Sequence, residues 1–223
     1  MTVSLLFMDT DPGIICFQHC DSKVFCFELP EKCPVCQSPM ANTVLPLPPF
    51  RIPYPFVRAS QHSCCIVMKP TNGDFLNDYL NSKDLHIGVT SSKGLVVEYD
   101  KNGLQYDKAS LWKQCLIVDG ADESWSEIWD NTLRHVSSLT CWSPERYNEE
   151  NFNCYNFVLK FLQELRFGAL SAAAVSRTRF CESYIVPQTT TAGKYISLYR
   201  KLKKSGCVIH RISSKHTACN TLK

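Results

Sequence analysis

The chain has 223 residues, 44% hydrophobic and 20% charged, enough to bury a substantial core and too apolar for a disordered polypeptide. No apolar run approaches the length of a membrane span, and Met1–Thr10 lacks the basic region and long apolar stretch of a secretory leader. The expected compartment is the cytosol or nucleus, where thirteen cysteines read as thiols and metal ligands and not as a disulfide framework.

The net charge of +3 conceals an asymmetry: eight Lys/Arg and no acid lie between Lys194 and Lys223, against 16 basic and 21 acidic residues before it. A basic tail can meet an acidic surface; its plainer reading is a solvated helix face.

Residues 1–40 form the first segment. Cys33-Pro-Val-Cys36 is a knuckle, two thiolates presented to one tetrahedral ion, with Cys16, His19 and Cys20 upstream as further ligands across a short hairpin. The expected set is Cys16, Cys20, Cys33 and Cys36 around a structural Zn2+, since adjacent His19 and Cys20 rarely share an ion; Cys26 reads equally as a strand residue. This zinc-knuckle-like hairpin is not strongly basic, which argues against nucleic acid as partner.

Residues 41–60 form a connector. Six of the twelve prolines fall between Pro39 and Pro55, which excludes a helix or central strand and predicts an extended strap along the main domain. The main domain, 61–205, opens with a buried strand over Ser63–Met68 and a short helix over Phe75–Leu80. Leu85–Thr90 and Leu95–Tyr99 then flank Ser91–Gly94 as a hairpin. A strand follows over Leu111–Val118. Ser124 and Glu127 form a capping box for a helix whose apolar face carries Trp125, Ile128, Trp129, Leu133 and Val136.

The second helix is the informative one. Phe157, Val158, Phe161, Leu162 and Leu165 repeat at helical spacing behind Cys154, with Asn151 and Asn153 where an N-cap belongs. A thiol in that first turn meets unpaired N–H groups and the positive end of the helix dipole, which favour thiolate. Further on, Ser171–Val175 reads as a turn or helix extension and Phe180–Val186 as a last strand or strap. Gly193–Lys204 reads as a basic amphipathic helix, and 206–223 as a basic, disordered tail. Strands clustered before long helices give an α+β fold with a mainly antiparallel sheet.

His86 on a strand, with Gly94 in the following hairpin, then Asn153-Cys154 heading an apolar helix, resembles the permuted papain-like superfamily: lecithin:retinol acyltransferase-like proteins, NlpC-type peptidases and PPPDE-type peptidases. The resemblance covers roughly residues 63–166. It implies Cys154 as nucleophile and His86 as base in hydrolysis or acyl transfer on a protein or acyl substrate. A polar residue should orient the imidazole. Pairing Thr90 with Leu95 turns Glu98 to the face opposite His86, leaving Gln114 or Tyr99 for that role. The alternative is an inactive papain-like protein serving as an adaptor.

Overall fold

A computed structural model describes residues 13–41, 43–107 and 111–212. The expectations for Met1–Thr10 and for the tail from Ser213 lie outside the described residues. Along the chain run β1 (Ile15–His19), β2 (Ser22–Cys26), β3 (Leu47–Arg51), β4 (Cys65–Pro70), β5 (Leu85–Thr90), β6 (Val96–Asp100), β7 (Gly103–Asp107) and β8 (Leu116–Gly120). Then come α1 (Ser126–Ser137), α2 (Cys154–Leu165), α3 (Gly168–Ala173), α4 (Arg177–Phe180), α5 (Val186–Ser205) and β9 (Cys207–Arg211). The fold is α+β, with two antiparallel sheets ordered β3-β1-β2-β9 and β7-β6-β5-β4-β8. The chain divides into two compact units, residues 1–54 with 197–223, and residues 55–196. No helix among the described residues is long and apolar enough to cross a membrane.

The first unit is built on the four-stranded sheet. Ser22, Val24 and Cys26 alternate inward along β2, and Val24 and Cys26 pack with Phe17, Ile15, Met40, Leu45 and Cys207. Residues 47–51 of the proline-rich stretch enter this sheet as β3 beside β1, whereas its last residues belong to the second unit, where Val57 pairs with Cys115 and Phe56 stacks on Phe75. Pro48 and Pro49 are tolerated because β3 is an edge strand with one side free of ladder bonds. The tail expected to be disordered from residue 206 starts instead with β9. There, β-branched Val208 and Ile209 stand opposite Phe25 and Val24 on the other edge.

In the second unit, α1 and α2 pack together and α2 lies against β5 and β6. Trp129, fully buried on α1, donates its indole N–H to the Thr90 carbonyl at 2.8 Å and meets Phe161 of α2 at 4.9 Å. Ile128, expected on the same face, is half exposed, because the buried stripe is Trp129, Leu133 and Val136. The start of α1 also differs. Asp122, not Ser124, is the cap, accepting from the Ser124 N–H to begin a 3-10 turn that leads into the helix. β7 was masked in the sequence by its Asn102-Gly103 turn. Phe75–Leu80 forms turns and not a helix.

Phe180–Val186, read as a last strand or strap, is helical. A π turn at Cys181–Ile185 joins α4 to α5, and its wider winding lets Pro187 follow without its ring meeting a regular α-helical carbonyl.

The β5–β6 turn sets the register on which the site depends. Gly94 has φ +74°, and a Cβ there would lie 2.4 Å from the Ser60 carbonyl oxygen. Gly94→Ala is therefore expected to cost about 2 kcal/mol from left-handed strain and the clash. Thermal unfolding should fall by roughly 4–8 °C, at the 2–4 °C per kcal/mol usual for this size. An unchanged midpoint in scanning calorimetry would refute this account of the turn.

Candidate functional site

Cys154 is the first residue of α2. The Asn153 side-chain oxygen accepts from the Tyr155 N–H at 3.1 Å, and Asn156 reaches back to the Asn153 N–H at 2.9 Å, a capping box with Asn in the place of Glu. Asn153 is itself buried, and its amide donates to the Glu149 carbonyl, fixing the approach loop. The thiol thus stands at a rigid helix start, 5% exposed.

Across from it is the β5 histidine. The ring Nε2 of His86 lies 2.5 Å from Glu98 Oε2, and the other Glu98 oxygen accepts the Trp112 indole N–H at 3.1 Å. Cys154 lines the same cleft and interacts electrostatically with the imidazole, whose Nε2 is taken by Glu98, so Nδ1 is the ring nitrogen left for the thiol. Burial alone would lower the pKa of His86. Interaction with the Cys154 sulfur and the hydrogen bond and charge of Glu98 override it and raise the value to about 9. Burial likewise pushes Glu98 up, but the His86 bond and charge, the Trp112 bond and the charge of Lys69 together hold its carboxyl below the usual range.

The orienting carboxylate is a correction to the sequence reading. The ladder pairs Thr90 with Val96 and Gly88 with Glu98, so the loop is one residue longer than Ser91–Gly94. The Ser91 N–H donates to the Leu95 carbonyl across it. That single step moves Glu98 onto the face of Gly88 and His86, as a diagonal neighbour of the histidine. Gln114 is elsewhere, its amide oxygen accepting the Phe75 N–H at 2.8 Å. Tyr99 is buried on the opposite face, donating to the Ser143 carbonyl at 2.9 Å. Trp112, which fixes the outer carboxylate oxygen, carried no sequence signal beyond its size.

Cys154 and His86 line a cleft of about 930 Å³ bounded by the residue 71–86 segment, the 147–155 loop and helix start, and Arg177, Ile185 and Thr189. The Arg177 guanidinium lies 4.6 Å over the Tyr155 ring. Burial raises the Tyr147 phenol to about 12, with the charges of Cys154 and Glu149 adding to the effect.

The first unit holds a separate cluster. One ligand atom from each of His19, Cys20, Cys33 and Cys36 lies within 4.8 Å of all the others, an arrangement that can hold a metal ion. Tetrahedral thiolate ligation at about 2.3 Å places sulfurs about 3.8 Å apart, so the spread fits. His19 Nδ1 is 3.0 Å from Cys20 Sγ and 3.5 Å from Cys36 Sγ, and the Val35 N–H points to Cys33 Sγ at 3.4 Å. Cys16, expected as a ligand, is buried in β1 opposite Phe25, outside the cluster. Adjacent His19 and Cys20 converge because Cys20 takes a left-handed backbone (φ +49°) in the β1–β2 turn, breaking the strand alternation that would send the two side chains apart.

Fold and site together define an α+β protein with a buried His86–Glu98 pair, a cysteine at a helix start lining the same cleft as that histidine, and a distinct His/Cys cluster. Residues 12–40 match the family model DUF4796 N-terminal and residues 49–202 match DUF4796 C-terminal; the chain belongs to the DUF4796 family. It is 32% identical over 197 residues to human MKRN2 opposite strand protein, covering 87% of each chain. No solved structure matches.

Proposed function

We propose that the protein is a cysteine-dependent hydrolase or acyltransferase on a permuted papain-like core. The observation that carries this is a cleft lined by both Cys154 and His86, with the imidazole Nε2 of His86 bound to the Glu98 carboxylate. Such a set of groups does what acyl transfer requires. The Cys154 proton moves to His86 Nδ1, the sulfur bonds to the substrate carbonyl carbon, and the C–N or C–O bond breaks as the imidazolium protonates the leaving group. Water activated by the same ring then cleaves the thioester, releasing the acid and restoring the thiol; an amine in place of water yields a new amide. The Cys154 N–H, at the first helical position, has no intrahelical acceptor and is available to the developing oxyanion. Histidine on a strand, preceding cysteine at a helix start, supports the papain-like reading.

Brief iodoacetamide treatment of the native protein at pH 7, read by mass spectrometry, tests it. Cys154 is expected to alkylate at least about tenfold faster than Cys64, Cys65 or Cys115. Burial raises all three of those thiols, Cys65 to about 11 and Cys115 to about 12. Cys154→Ser should stay folded and lose any acyl-transfer activity. A Cys154 as slow as the strand cysteines removes the catalytic reading and leaves the adaptor.

For the first unit, the soft His/Cys3 donor set supports zinc, in a closed four-ligand site with a structural role.

A further inference from the structure

The chemistry of the cleft narrows what Cys154 acts on. Resting on the reading of Cys154 as nucleophile, we infer that the acyl donor is a polar, peptide-like chain and not a lipid ester. Among the residues lining the cleft only Leu85 and Ile185 are aliphatic; the rest carry a polar or charged group or, as with Tyr79, a phenol. A long acyl chain leaves water favourably only against a continuous apolar wall, which this lining does not provide. An extended peptide makes the opposite demand, since each residue brings an N–H and a carbonyl that must be paired when covered.

The cleft meets that demand. The side chains of Asn72, Asn81 and Ser82 line it and make no protein hydrogen bond among the described residues. They offer donors and acceptors to an incoming backbone. Glu149 and Glu150 also line it, and neither carboxylate forms an ion pair among the described residues. The lining is therefore solvated and ready to exchange water for a polar chain, at the mouth that leads to the thiol.

Two irreversible probes with one warhead test this: an acyloxymethyl ketone carried on a neutral tripeptide, and the same group carried on a decanoyl chain. In both, the Cys154 sulfur attacks the methylene carbon, a thioether forms, and the carboxylate leaves. Adduct formation on Cys154 of the full chain is followed by mass spectrometry, with Cys154→Ser as the control and iodoacetamide as the recognition-free reference. The peptidyl probe is expected to label at least about tenfold faster than the decanoyl probe. Equal rates, or faster decanoyl labelling, overturn the inference. If iodoacetamide reacts rapidly but neither probe exceeds its rate, the cleft recognises no peptide and the inference fails while the nucleophile stands. If iodoacetamide itself is slow, the catalytic reading falls and takes the inference with it.

Discussion

His86→Ala is expected to slow alkylation of Cys154 at pH 7 by about 30-fold, because the neighbouring cation that favours the thiolate is removed. It should abolish acyl transfer, because the thiol then has no proton acceptor and the leaving group no proton donor. Glu98→Gln is the finer probe. Its shape lets the Trp112 bond persist, so the core should hold, but the negative charge that favours the protonated ring is gone. Steps that need imidazolium should decline near pH 9 in the native protein, following His86, and at lower pH in Glu98→Gln. A purely structural role for Glu98 would change the amount of folded protein and leave that descending limb in place.

The same pair carries a pH signature in stability. The folded pKa of His86 lies above its ordinary 6.5, so its stabilising contribution is complete below that value and is lost as pH rises through about 9. Glu98 is depressed below its ordinary 4.5, so its contribution is present above that value and is lost as pH falls through the lower folded value. The difference in thermal midpoint between the native protein and Glu98→Gln should be greatest between pH 4.5 and 6.5 and should shrink above pH 9. A difference independent of pH would show that the ion pair contributes nothing to folding.

The parts of this site that were legible in the sequence are those set by local rules. Asn153 as cap, Cys154 in the first turn and the apolar stripe behind it follow from spacing alone, because a helix repeats on its own neighbours. Glu98 was not legible, since its face depends on how many residues the β5–β6 loop contains, and one residue reverses every side chain on the strand. His19 stands among the candidates but outside the expected set, because adjacent residues rarely share an ion; the left-handed backbone of Cys20 brings the two side chains together. β3 and β9 depend on pairing across the sequence: β9 finds β2 from more than 180 residues away, and no local pattern announces such a partner.

Cys33→Ser is expected to abolish the zinc binding proposed for this cluster and to unfold most of the first unit. The unit is small, its buried apolar residues including Ile14, Cys16, Phe17, Val24 and Cys26, and the His/Cys cluster joins the Cys33–Cys36 segment to the β1–β2 turn. Structural zinc supplies apparent binding energies of about 10–16 kcal/mol in small domains, and a serine hydroxyl is a poor replacement for a thiolate. Protein purified without added metal should contain about one zinc per chain by elemental analysis, and Cys33→Ser a small fraction of that. Amide exchange should accelerate over residues 14–51 and 207–211, the strands of the first sheet and the segment between them, while residues 55–196 keep their protection. Cys16→Ser separates the two readings of the ligand set. With His19 as the fourth ligand, that variant keeps its zinc; if it loses metal as Cys33→Ser does, the cluster of His19, Cys20, Cys33 and Cys36 is not the site.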